Sequence, residues 1–458
     1  MNALIPLFII IPLGLAFLTP IVEKIIRNSA KYLTPLGLLV LAVITVKFIL
    51  ESKGSAFSYK VGGWEPVTGV PIGIHLELDS MSFIILFVIN TIGFLAAFYS
   101  IAYLKKFTGE AYFFTLFNLM VAGMNGVAIT GDIFNLFVFL EISVIASYAL
   151  VAFGTEKQEL EASFKYQVLG GIASLLILFG IGMIYWYTKT LNIADISQIM
   201  RGGEDKQVIT FIQVFLIAGF GLKAAMVPFH SWLPDAHSSA PSPISAMLSG
   251  VLIKAIGIYA LLRLFFNMFS ISYEIALVIT SIGVLSMVVG VFLAIGQWDL
   301  KRLLAYHSIS QMGYVVMAIG IGMMLIANGI RYKVAILSIS GGLFHLINHA
   351  FFKGLLFLNA GAIEYRLDTR NLKEMGGLSD QMPVTSATSM GASMAISGVP
   401  PFNGFFSKLV IIVAAVQAQY YGLATIAVIV SIITLASFLK VQRFAFYGKK
   451  KNDENKPE

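Results

Sequence analysis

The chain has 458 residues, 58% of them hydrophobic and only 12% charged; a soluble domain carries about 25% charged residues. With a mean hydropathy of +0.85, this excludes a soluble or disordered chain and predicts an all-α polytopic protein of the cell membrane. The absence of cysteine excludes disulfides, cysteine-ligated iron–sulfur clusters, c-type haem attachment and thiol catalysis. The net charge is +7, and Lys449, Lys450, Lys451 and Lys456 cluster at the C-terminus. A basic tail without interleaved aromatics predicts a topology and lipid-surface signal and no nucleic-acid partner.

Apolar runs of about 17–25 residues are taken as spans. The first, residues 2–22, lacks a basic n-region and an A-x-A site, so it counts as a span rather than a cleaved signal. Span 2 covers 33–50. A polar connection with SKGS, GGWEP and VPIG as turn material follows. Spans 3 to 6 cover 80–101, 111–129, 133–153 and 164–187. A second polar connection, 188–207, carries a short surface helix. Span 7 starts near 208 and breaks at Pro228. Spans 8 to 11 cover 244–266, 274–296, 302–326 and 334–363. Span 12 starts near 384, breaks at SGVPPFNG with Pro400 and Pro401, and resumes to 416. Span 13 covers 421–446.

Thirteen spans place the termini on opposite sides. Basic clusters at Lys24/Arg27/Lys31, Lys105/Lys106, Lys301/Arg302, Arg366/Arg370/Lys373 and the tail share one side. The positive-inside rule therefore predicts an external N-terminus and a cytoplasmic C-terminus. Spans 7 and 12 are both proline-broken, lie five spans apart, and carry Lys223 and Lys408 near the break. An odd number of spans inverts the next unit, so spans 4–8 and 9–13 are expected to be an inverted five-helix repeat. The expected organisation is residues 1–110 for spans 1–3 with an external loop, 111–268 and 269–447 for the two repeats, and 448–458 for a basic cytoplasmic tail.

A charge inside a span is rare and functional by default. Glu141 sits mid-span in FNLFVFLEISVIASYALVA, with Asp132 nearer the end and interfacial. A structural ion pair or a protonated glutamate is the blander reading. Lys223 and Lys254 lie inside spans 7 and 8; lysine suits a proton relay because burial and neighbours move its pKa. Snorkelling is their alternative, harder for the deeper Lys254. His345 and His349 are four apart, share a helix face, and are followed one turn later by Lys353. That spacing suits zinc, but Leu346 stands where a metalloprotease has its glutamate, so no metal is expected. Lys408 reads as an exit site or an interfacial anchor. His307 reads as polar packing or an accessory relay, and His230 and His237 as structural. Gly219-x-Gly221-x-x-Ala224 fits a loose dinucleotide pattern but follows no strand. No cofactor site and no hydrolytic or redox centre is expected in this chain.

With these residues in view, the chain resembles the antiporter-like subunits shared by complex I, membrane-bound hydrogenases and Mrp-type cation/proton antiporters, above all the D-type Mrp subunit. The resemblance rests on GGWEPVTGVPIGI, Glu141, GFGLKAAMVPFHSWLPDAH, GVLIKAIGIYALLR, WDLKRLLAYHSISQMGY, HLINHAFFKGLLFLNAGAI and SGVPPFNGFFSKLVII. It covers spans 3 to 13. It implies a five-helix inverted repeat and a central polar axis. Along that axis Glu141 and Lys223 would pair, Lys254 bridge, His345 and His349 relay, and Lys408 form the distal site. It also implies other membrane subunits as partners, H⁺ or Na⁺ as the moving ion, and a redox module with iron–sulfur or metal centres if the complex is an oxidoreductase. Family members usually carry a fourteenth helix. This sequence ends after FAFYGKKK and a short polar tail, so a partner is expected to seal the second half.

Three functions remain open from these residues: an ion-translocating subunit of a larger complex, a self-sufficient transporter of a small solute, and a non-pumping scaffold. A linear series of buried lysines favours a proton wire over a single solute pocket. Solute transport by the purified chain alone would favour the second reading, and pumping without Lys223 the third.

Overall fold

The fold is described from a computed structural model covering residues 2–63, 73–203 and 205–448. Most of the GGWEP and VPIG turn material and the basic tail from Lys449 lie outside the described residues. The helices in chain order are α1 Leu7–Ile25, α2 Ala30–Ser52, α3 Ser80–Tyr103, α4 Glu110–Ile129, α5 Ile133–Val151, α6 Lys157–Thr188, α7 Ile193–Gly202, α8 Lys206–Lys223, α9 Trp232–Ser239, α10 Ser242–Met247, α11 Ala260–Met268, α12 Tyr273–Ile295, α13 Leu300–Ala327, α14 Tyr332–Leu367, α15 Leu378–Gln381, α16 Pro383–Ser397, α17 Asn403–Gln417 and α18 Tyr421–Val441. A π-helical stretch, Leu248–Tyr259, joins α10 to α11. Twelve helices among the described residues are long and apolar enough to cross a membrane. The run expected as span 12 is two 15-residue helices, α16 and α17, separated at Pro400 and Pro401. The chain is an integral membrane protein.

It forms two compact units. One comprises Met1–Ala224 and Val251–Ser270, the other Ala225–Gly250 and Ile271–Glu458. In the first unit α4 and α5 pack closely because Gly123 has no side chain; a Cβ there would strike Phe139 O and Ser143 N. In the second, Gly313 of α13 lies equally close to the Met287 backbone of α12. Lipid gives no hydrophobic drive for helix association, so close backbone approach through small residues carries such contacts. One feature absent from the sequence reading is an antiparallel hairpin before α3, strands β1 Phe57–Lys60 and β2 His75–Leu78, paired Phe57 to Leu78 and Lys60 to His75.

Polar loops tie the helix ends together in a pattern that occurs twice. Before α5, Ile133 N donates to Leu191 O and Ile193 N to Gly131 O, each at 2.9 Å. Before α13, Leu300 N donates to Arg370 O and Leu372 N to Trp298 O, again at 2.9 Å. Asp132 caps α5 by accepting from Asn135 N at 2.7 Å, and Asp299 caps α13 by accepting from Arg302 N at 2.9 Å. In each loop a threonine hydroxyl accepts from the asparagine backbone two residues on, Thr190 from Asn192 and Thr369 from Asn371. The segments Thr190-Leu-Asn192-Ile-Ala-Asp195 and Thr369-Arg-Asn371-Leu-Lys-Glu374 are the sequence trace of this recurrence.

Both expected breaks are present. α8 ends at Lys223, and Pro228 has no N–H for the Ala224 carbonyl. Val227 N instead donates to Ser286 Oγ at 2.9 Å. The chain then makes the short α9 before re-entering an apolar helix. The connection at 188–207 contains the expected short helix, α7, which buries Ile193, Ile196 and Met200.

Candidate functional site

In the first unit, α5, α6 and α8 bring together Glu141, Ser174 and Lys223. Lys223 Nζ donates to Ser174 Oγ at 2.8 Å and lies 3.4 Å from Glu141 Oε1. The Ser174 hydroxyl donates to the same carboxylate oxygen and also lies 2.9 Å from Gly170 O. The Lys223 side chain is only 2% exposed, so this cation has left water and requires its partners. Behind the pair, the rings of Tyr148 and Tyr166 meet edge to face at 4.4 Å, and Tyr166 Oη bonds Ser147 Oγ at 3.0 Å. Gly170 leaves room for the Tyr148 hydroxyl, which would overlap a Cβ there.

Lys254 is fully buried on the π-helical stretch. Three residues on, Gly257 lies against Ala224; a Cβ would collide with its Cα and N. This places the turn carrying Lys254 beside the residue that follows Lys223. The π-helical stretch runs for 12 residues, and π-helical geometry within α-helices is frequent at functional sites.

In the second unit, His345, His349 and Lys353 lie along α14, all fully buried. His345 Nδ1 is 2.9 Å from Ser407 Oγ, and its Nε2 is 3.2 Å from Gln311 Oε1. His349 packs edge to face on Phe352. Lys353 Nζ donates to Leu304 O at 2.5 Å and lies over the Phe357 ring. Lys408 Nζ donates to Ile396 O at 2.8 Å and to Ser431 Oγ at 3.2 Å, and sits 4.8 Å above the Tyr314 ring centroid. The same ring flanks His345 at 5.7 Å. His345 and Lys408 thus share Tyr314, and Ser407, the neighbour of Lys408 in the chain, bonds His345. His307 Nε2 bonds Ser437 Oγ at 2.8 Å and its ring packs on Phe438.

Asp132 is placed as the cap of α5, nine positions before Glu141. Burial pushes its carboxyl above the usual range, against hydrogen bonds from Asn135 and Phe134 N. Burial lowers His230, partly offset by its bond to the Pro228 backbone. His237 stacks on Phe357 at 4.7 Å.

The residues that sequence reasoning missed are the polar partners. Ser174, Gln311, Ser407 and Ser431 are ordinary polar residues in apolar helices, and nothing local marks them. The basic pair Lys301/Arg302 had a signal that was read only as topology. Lys301 is 2% exposed and pairs with Glu364 at 2.6 Å, also donating to Ala240 O. Arg302 pairs with Asp235 at 2.6 Å, and Arg370 lies between Asp299 and Glu364.

Buried lysines and histidines, a glutamate paired with one of those lysines, and two proline-broken spans carrying Lys223 and Lys408 define a class, the antiporter-like membrane subunit. Residues 130–434 match the family described as NADH:quinone oxidoreductase/Mrp antiporter, TM, and residues 64–114 match the one described as NADH-Ubiquinone oxidoreductase (complex I), chain 5 N-terminus. The chain belongs to this NADH:quinone oxidoreductase/Mrp antiporter family. It is 34% identical to the D-type subunit of the Na(+)/H(+) antiporter of Alkalihalophilus pseudofirmus over 86% of this chain and 77% of that protein. Its fold is similar to a chain of the Mrp complex from Dietzia sp. DQ12-45-1b, with a TM-score of 0.87 and 29% identity over 98% of this chain and 80% of that one. It is also similar to a chain of an archaeal respiratory membrane complex, the membrane-bound sulfane sulfur reductase, with a TM-score of 0.84 and 30% identity over 97% and 88%.

Proposed function

We propose that this chain translocates protons, Na⁺ or both as one subunit of a multi-subunit complex in the cell membrane. The Glu141–Ser174–Lys223 group carries the reading: a lysine side chain 2% exposed in a membrane helix, coupled to a carboxylate on another span. Burial of a charge is expensive even when paired, and replacing such a pair by apolar residues is often neutral or stabilising. Stability alone therefore does not account for the pair, whereas transport does. Lys254, His345, His349 and Lys408 extend the reading as bridge, relays and distal site, with Lys353 and His307 as accessories. The recurring loop pattern at Asp132/Asn192 and Asp299/Asn371 supports an inverted five-helix repeat.

The partners are other membrane subunits. Similarity to subunits of both an Mrp complex and a respiratory complex leaves two drives for transport, a cation gradient and a redox module in neighbouring subunits. An external N-terminus and cytoplasmic C-terminus rest mainly on Lys24, Arg27, Lys31, Lys105 and Lys106, since Lys301 is neutralised within the fold. The test is isolation of the complex in mild detergent, identification of its subunits and reconstitution into sealed vesicles. The proposal expects cation- or redox-driven proton movement that requires this chain. Transport of a small solute by the isolated chain would replace it.

A further inference from the structure

We propose that Ser174 is a proton relay between Lys223 and Glu141, its hydroxyl carrying a proton from one to the other. This rests on the reading of that pair as part of the translocation path. An ammonium only donates, so Ser174 Oγ is the acceptor from Lys223 at 2.8 Å. The direct Lys223 to Glu141 distance, 3.4 Å, exceeds the about 2.7–2.9 Å of a good charge-assisted bond. The better-formed hydrogen bonds therefore run through the serine.

The hydroxyl has one proton and two acceptors within reach, Glu141 Oε1 and Gly170 O. When Glu141 is ionised, the proton points to the carboxylate. Transfer then breaks one N–H bond of Lys223 as a new O–H forms on Oγ. The original Oγ–H breaks as Oε1–H forms. Ammonium and carboxylate become amine and carboxylic acid, and the hydroxyl is regenerated. Its new proton turns to Gly170 O, the carbonyl one helical turn back, which holds Oγ in place between transfers. The neutral pair no longer attracts by charge, so Lys223 is released from Glu141 without a buried charge being stranded. The reverse step recharges the pair by the same route.

The test uses the intact complex in sealed vesicles with Ser174→Cys and Ser174→Ala. Cysteine keeps the volume but is a weak hydrogen-bond donor and acceptor. A relay predicts that both variants assemble and both move protons about tenfold or more slowly, within the range of single proton-transfer groups. Infrared difference spectra should also show the Glu141 carboxylate bands, assigned with Glu141→Gln, displaced in both. A merely space-filling serine predicts that Ser174→Cys transports at the wild-type rate with unmoved bands, and that result overturns the relay. Glu141→Ala in the same vesicles keeps the two levels apart. If that variant is slow while Ser174→Cys is normal, the pair stands and the relay falls. If Glu141→Ala transports normally, the reading of the pair itself fails.

Discussion

The Nζ of Lys408 lies 2.8 Å from the carbonyl oxygen of Ile396. In a continuous helix that carbonyl would receive the N–H of residue 400, but Pro400 has none. The next carbonyl, Ser397 O, faces Pro401 and is taken by Ser431 Oγ at 2.8 Å. The break thus creates an acceptor inside the membrane protein, and a lysine 3% exposed occupies it. A snorkelling anchor would instead hold its head in water.

Lys408→Arg keeps the charge but cannot release a proton, because arginine stays protonated to a pKa above about 12. The variant should assemble and lose ion movement in sealed vesicles. Lys408→Glu should retain some, since a buried carboxylate can also titrate. Normal flux through the arginine variant would assign Lys408 to helix packing alone.

Glu141→Ala removes the counter-charge of the buried Lys223 ammonium and leaves it bonded to Ser174. Removing one partner of a buried pair costs about 3–5 kcal/mol. Transport should be abolished, while Glu141→Asp keeps part of it. Comparing thermal melting and flux of the two variants separates loss of stability from loss of transport.

Arg263 and Asp79 form an ion pair at the start of α3, where Asp79 also accepts from Ser82 N. Burial raises the Asp79 carboxyl, but the charge of Arg263 and the Ser82 bond outweigh it, so the net shift is downward. A lowered carboxylate stabilises the fold above its unfolded pKa of about 3.9, and that contribution is lost as pH falls through the folded value. Arg263→Gln removes the opposing charge and leaves the Ser82 bonds against desolvation, which moves the Asp79 carboxyl upward. Because Asp79 is 39% exposed, the loss should be about 1–2 kcal/mol at neutral pH, between surface and buried pairs. Melting of the detergent-solubilised complex should show that deficit shrinking toward pH 4. An equal deficit at both pH values would assign the effect to packing.

Much of the fold was legible because spans are long and apolar and because proline and glycine mark their breaks. Glu141, Lys223 and Lys408 stood out since a membrane helix tolerates charge poorly. The Ile396 partner of Lys408 could have been read four residues before Pro400. Ser174 could not, because a serine in an apolar helix usually bonds its own backbone. The β1–β2 pairing escaped because its strands are four residues each and separated by a long loop, giving too little alternation to see. Lys301 looked like a surface charge because its partner Glu364 is 63 positions away and contact at that range leaves no local pattern.

Lys301→Met removes the charge facing Glu364 and leaves a carboxylate shared with Arg370 and Ser242. The complex should lose about 3 kcal/mol of stability. Adding Glu364→Gln should restore part of it, and a double-variant melt no higher than the single would show that the pair is not coupled.

The most direct test is proton movement by the Lys223→Ala complex in sealed vesicles, with assembly verified and cation or redox drive applied. Lys223 donates to both Ser174 and Glu141, and its removal takes away the proton donor of that route. The predicted result is an assembled complex whose proton movement falls to the level of empty vesicles. Wild-type proton movement by that complex would contradict a translocating role for the chain and leave it a scaffold.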